Sequence, residues 1–183
     1  MKNIKGTLPN ALTMINMSLG VTAIMLAVSD RVKIDFMIYA SLLVMIAALT
    51  DRFDGKVARM LDAASDLGKE LDSLSDLISF GVAPVIIAWK ISFFHLGVPG
   101  YLISLIFPMA GAYRLARYNV TTFDNIFRGM PITIAGAFLT IDNLYNCFAV
   151  INNKFTFINS LITAIILIFL SYLMVSKIRI KKL

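Results

Sequence analysis

Short polar breaks divide the chain into six apolar runs, near residues 11–29, 34–50, 71–92, 97–118, 131–151 and 156–176. Each run is about as long as one crossing of a bilayer. A backbone inside hydrocarbon has to satisfy its own hydrogen bonds, so single apolar runs of this length cross as helices. Six of them in 183 residues leave no length for a separate soluble domain. The expected fold is an all-α integral membrane protein with six transmembrane helices, a single domain over residues 1–183. A mean hydropathy of +0.81 with only 15% charged residues excludes an ordinary soluble domain.

The first 30 residues have the charged start and apolar run of a signal peptide, but no small-x-small cleavage site follows, and the segment is read as a retained span. Pro9 and Asn10 are expected to open its helix, Pro131 to open the fifth, and Pro108 to bend the fourth. The second run continues in helical pattern to about residue 61. The lone Cys147, in apolar surroundings, is expected to be a packed side chain.

With the N-terminus on the cytoplasmic side, thirteen of the seventeen Lys and Arg residues fall in cytoplasmic segments, and only Arg31, Lys33, Lys90 and Lys154 lie outside. This bias supports an even number of spans with both termini cytoplasmic. The C-terminal KIRIKKL is then a stop-transfer anchor.

The acidic residues are distributed unevenly. Seven of eleven (Asp51, Asp54, Asp62, Asp66, Glu70, Asp72 and Asp76) lie between residues 51 and 76, on the same cytoplasmic side. Carboxylates at the edge of a membrane are costly and point to a functional site. Asp51 and Asp54 are three apart and Asp72 and Asp76 four apart, so each pair shares one face of a helix. Two such faces in contact would repel unless a cation sat between them. Oxygen ligands with no neighbouring His or Cys suit Mg²⁺, Mn²⁺ or Ca²⁺. Helical geometry turns Asp66 and Glu70 away from Asp72, leaves Asp62 undecided, and leaves His95 far off beside a loop. Gly55, Ala58, Ser65 and Gly68 keep the neighbourhood open, either for a ligand or for close helix packing. Arg59, five residues after Asp54, can bind a phosphate or neutralise the acids.

Residues 51–76 read D-x-x-D-G-x-x-A-R, eight residues, then G-x-x-x-D-x-x-x-D, through Asp51, Asp54, Gly55, Ala58, Arg59, Gly68, Asp72 and Asp76. This pattern resembles the signature of the CDP-alcohol phosphotransferase family. GKELDSLSDLISFGVAP (68–84), RLARYNV (114–120), FRGMP (127–131) and PNALT (9–13) resemble its phosphatidylserine synthase branch.

The resemblance implies a six-helix membrane enzyme, usually a homodimer, with a polar cavity at the cytoplasmic interface. Its substrates would be a CDP-linked lipid and L-serine and its product CMP, with membrane lipids around it and no nucleic acid partner. Asp51, Asp54, Asp72 and Asp76 would hold two divalent ions, Mg²⁺ or Mn²⁺ with Ca²⁺ also open, and Asp76 would also be the general base. Gly55, Ala58, Arg59 and Ser65, with Asn10 and Thr13 in a weaker N-terminal element, would contact the CDP-lipid.

Read for itself, the residue set suits that chemistry: cations would neutralise a pyrophosphate, and a carboxylate would accept the proton of an attacking hydroxyl. No Ser-His or Cys-His pairing suggests an enzyme nucleophile. Arg114, Arg117 and Arg128 lie on the acidic side and are candidates for the serine carboxylate, with positive-inside topology as the plainer explanation. Asn119 and Lys69 are possible accessory contacts. Glycerol phosphate and inositol phosphate are alternative acceptors. A transporter pathway would spread polar groups across the membrane, whereas here they are confined to one end; a silent scaffold would have no use for buried acids.

Overall fold

A computed structural model describes residues 3–29, 34–60, 65–120, 127–176 and 179–180; the side chains of 3–9, 53–60, 127–128 and 179–180 lie outside that description. Its helices are α1 (Asn3–Val28), α2 (Ile34–Met60), α3 (Asp66–Asp76), α4 (Ala83–Ala88), α5 (Val98–Val120), α6 (Ile132–Ile151) and α7 (Phe157–Val175). A π-helical turn over Leu77–Val82 joins α3 to α4 without a break, and a second one over Trp89–Phe93 follows α4. The stretch Asp66–Leu96 is thereby one rod, and the described chain forms six rods. Two-residue strands β1 (Phe127–Arg128) and β2 (Arg179–Ile180) pair antiparallel.

Five segments are long and apolar enough to cross a membrane: Asn10–Val28, Ile34–Arg52, Asp66–Leu96, Ile132–Ile151 and Phe157–Val175. The sixth rod, α5, falls outside this set because Pro99, Pro108, Arg114 and Arg117 dilute its apolar residues. The first helix also differs from expectation. It begins at Asn3, so Pro9 lies within α1 rather than at its start. A proline inside a helix removes one donor and costs about 3 kcal/mol or more, yet the helix runs through it.

Helix faces follow the side chains. In α2, Met37, Ala40, Val44 and Ala47 are buried at spacings of three and four, while Tyr39, Leu42, Ile46 and Leu49 face outward. In α1 the inward line is Thr13, Asn16, Gly20, Ala23 and Ala27. Small residues let these helices approach closely. A Cβ on Gly20 would stand 2.5 Å from Ser79 Oγ, and one on Gly136 would stand 2.5 Å from the Phe80 carbonyl oxygen. The π-helical turn after α3 is therefore gripped by α1 on one side and α6 on the other.

Polar contacts order the remaining pieces. Ser65 caps α3 by accepting from the Gly68 amide at 3.0 Å, and Thr156 with Asn159 forms a capping box on α7. Asp142 on α6 accepts from Thr163 on α7 at 2.7 Å and from Asn146 at 3.1 Å, pinning the last two helices together. Cys147 is buried.

Several of the candidate residues meet at one end of the bundle. Ser75 Oγ donates to the Thr13 carbonyl at 3.1 Å, Thr133 Oγ1 to Asp51 at 3.3 Å, and Arg117 to the Val175 carbonyl at 2.9 Å. The start of α1, the end of α2, the start of α3, the end of α5, the start of α6 and the end of α7 are thus neighbours.

Candidate active site

Asp51 continues the buried face of α2, four residues beyond Ala47. Asp72 and Asp76 are on successive turns of α3, which packs on α1. These three half-buried carboxylates each offer an oxygen within 4.8 Å of the others. Asp51 lies beside Asp76, and Asp72 lies in the field of Asp51. Negative groups so close need a proton or a cation among them.

α2 is helical through Met60, so Asp54 stands three residues after Asp51 on a continuous helix, with Gly55, Ala58 and Arg59 further along it. The side chains of these four residues lie outside the described residues, as does Asp62 altogether. Asp66 and Glu70 are exposed, and Glu70 accepts from Asn119 at 3.3 Å. His95 is exposed in the short turn before α5.

The arginines separate by what they touch. Arg114 is half-buried and within Coulombic reach of Asp76, and its Nε is buried with no hydrogen-bond partner. Arg117 is turned elsewhere. It donates to the carbonyls of Val175 at 2.9 Å and Ser176 at 3.4 Å, where the end of α7 leaves acceptors without helical donors. Arg128 lies in β1, its side chain outside the described residues. Asn119 donates to Ser73 Oγ at 3.0 Å, and Lys69 donates to the Asn119 carbonyl at 3.3 Å, so both fasten α5 to α3.

The N-terminal element comes to the same place. Asn10 lies against the first turn of α3, its Oδ1 3.1 Å from where a Cβ on Gly68 would be. Thr13 is buried, and Ser65 holds the N-cap of α3.

Two residues were not singled out by sequence reasoning. Thr133 reaches Asp51 from α6. Asn16, one turn beyond Thr13, is fully buried, and neither atom of its amide is hydrogen-bonded. Both stand in apolar runs where one polar side chain carries no pattern. Asn16 does repeat the three-residue spacing of Asn10 and Thr13, a signal that was legible.

The donor set is one of hard oxygens, partly withdrawn from water, with Arg114 as the cation in their field. Among the described residues, three carboxylates against one guanidinium leave excess negative charge, which fits a divalent cation of the oxygen-preferring class.

A model of the family described as CDP-alcohol phosphatidyltransferase matches residues 6–178. A CDP-diacylglycerol--serine O-phosphatidyltransferase of Bacillus subtilis is 40% identical over 141 residues, covering 76% of this chain and 73% of the relative. The Helicobacter pylori (strain 26695) protein of the same name is 35% identical over 177 residues, covering 93% and 70%. An archaetidylserine synthase of Methanothermobacter thermautotrophicus is 35% identical over 176 residues, covering 93% and 68%.

Proposed function

Because the chain belongs to the CDP-alcohol phosphatidyltransferase family, we propose that it makes a serine phospholipid, transferring a phosphatidyl or archaetidyl group from a CDP-linked lipid to the hydroxyl of L-serine and releasing CMP. The observation that carries this reading is the meeting of Asp51, Asp72 and Asp76, with oxygens within 4.8 Å, in a chain whose relatives are named for serine transfer.

Asp51, Asp54, Asp72 and Asp76 would hold two divalent ions, Mg²⁺ or Mn²⁺, which when bound supply positive charge to the pyrophosphate and the departing CMP. Asp76 accepts the proton of the serine hydroxyl as the bond from its oxygen to phosphorus forms and the bond from phosphorus to CMP breaks. No covalent enzyme intermediate is needed.

Asn10, Thr13, Gly55, Ala58, Arg59 and Ser65 hold the CDP-lipid, the small residues by letting it approach the backbone and Arg59 by charge. Arg114 is the first choice for the serine carboxylate: its Nε is unpaired and it lies in the field of the proposed base. Arg117, committed to the end of α7, is a weaker candidate, and Arg128 is the third. α5 completes a set of six spans in one domain, with both termini and a polar cavity on the cytoplasmic side, in a homodimer.

The test is CMP release from a purified sample given labelled CDP-lipid and serine, glycerol phosphate or inositol phosphate in turn, with and without chelator. Release with serine, abolished by chelation, is expected; none with serine overturns the assignment.

A further inference from the structure

We infer that Thr133 is a positioning residue for the acidic site, holding Asp51 in the orientation that binds a cation; this rests on the metal-site reading above. Its Oγ1 donates to Asp51 Oδ2 at 3.3 Å across 82 positions of sequence. A carboxylate has about four lone-pair directions, so an oxygen tied to a hydroxyl leaves room for a cation. What the bond removes is rotation. Asp51 has to face Asp72 and Asp76 from a different helix, and as ionised carboxylates those two repel it.

Thr133 is suited to this by where it sits. It is the second residue of α6, whose N-cap is Pro131. The amides of a first helical turn lack intrahelical acceptors, so this end of α6 favours a nearby carboxylate. The position is also rigid. The Met130 amide donates to the Leu173 carbonyl at 3.1 Å, and Gly129, with φ +79°, lies so close to α7 that a Cβ would stand 2.4 Å from the Met174 carbonyl oxygen. Thr133 is thereby fixed against the end of α7 and transmits that fixity to Asp51. Among the described residues, Thr133 is the α6 side chain hydrogen-bonded to Asp51.

The test measures Mn²⁺ binding to the purified full-length protein in detergent by electron paramagnetic resonance of the free ion, alongside thermal unfolding without metal. Removal of a hydrogen bond to a metal ligand weakens metal affinity by about 10- to 100-fold. Thr133→Val, which keeps the shape and loses the hydroxyl, is expected to weaken Mn²⁺ binding about 10-fold or more, while Thr133→Ser returns it to near wild type. Both are expected to unfold close to the wild-type temperature without metal. Wild-type affinity in Thr133→Val, or the same loss in Thr133→Ser, overturns the inference while leaving the metal site standing. Should Thr133→Val fail to fold, Thr133→Ala against Thr133→Ser makes the same comparison. If the wild-type protein binds no Mn²⁺ at all, the metal-site reading and this inference fall together.

Discussion

Arg117 on α5 donates to the backbone carbonyl of Val175 at 2.9 Å, across 58 positions of sequence, and so closes the end of α7 with a charge that suits a helix C-terminus. Three residues earlier on the same helix, Arg114 lies in the field of Asp76 with its Nε unpaired. Two arginines that look alike in RLARYNV are therefore expected to differ in what their loss does.

Arg117→Gln should lower the thermal unfolding temperature and leave the Michaelis constant for serine little changed. Arg114→Gln should raise that constant about 10-fold or more, the scale of a lost charged hydrogen bond of about 1.5–3 kcal/mol. Steady-state kinetics and thermal unfolding of both variants check this. The reverse assignment would move the serine site to Arg117.

Asp76→Asn should reduce CMP release by at least about 100-fold, the lower range for loss of a general base, while the protein stays folded and still binds CDP-lipid. A labelled-lipid binding assay beside the turnover assay separates the two. Substantial remaining turnover would remove Asp76 as the base.

Chelation should stop CMP release, and adding back Mg²⁺ or Mn²⁺ should restore it, because the three clustered carboxylates carry more negative charge than Arg114 offsets. Titration of each ion into the stripped enzyme ranks them. Full activity in chelator would refute a cation at this site.

Gly136→Ala should destabilise the fold by about 1–3 kcal/mol, the usual cost of forcing extra volume into a packed interior. The new Cβ would stand 2.5 Å from the Phe80 carbonyl oxygen, in the π-helical turn that follows Asp76. Thermal unfolding gives the size of the loss, and unchanged stability would mean that α6 and this turn separate more easily than their spacing implies.

Much of this protein was legible in its sequence because the bilayer is a severe solvent. Apolar runs long enough to cross it had to become helices, and the observed boundaries of α2, α5, α6 and α7 lie within a few residues of the runs, with α2 carried on to Met60 as its helical pattern suggests. The clustering of Asp51, Asp72 and Asp76 was legible for the converse reason: carboxylates are too costly at a membrane edge to be incidental, and a spacing of four places Asp72 and Asp76 on one helical face, while the side chain of Asp54 lies outside the described residues. Local chemistry was less visible. Ser65 fits a ligand-contacting motif and also caps α3, and the sequence does not distinguish these uses.

What only the tertiary structure decided is which distant residues touch. Spacing along one helix says nothing of the helix across from it, so the bond from Thr133 to Asp51, the closure of α7 by Arg117, and the fastening of Asn119 to Ser73 and Glu70 were beyond sequence reasoning. The π-helical turns after Asp76 and after α4 belong to the same class. The first of these wider turns is held by packing, with Gly20 on Ser79 and Gly136 on Phe80, rather than by any residue within it that demands the geometry. Sequence alone determined the helices and the charge each brings to the membrane edge, because those follow from local periodicity and the cost of desolvation. The fold decided how the charges are oriented, because that depends on contacts between helices far apart in the chain.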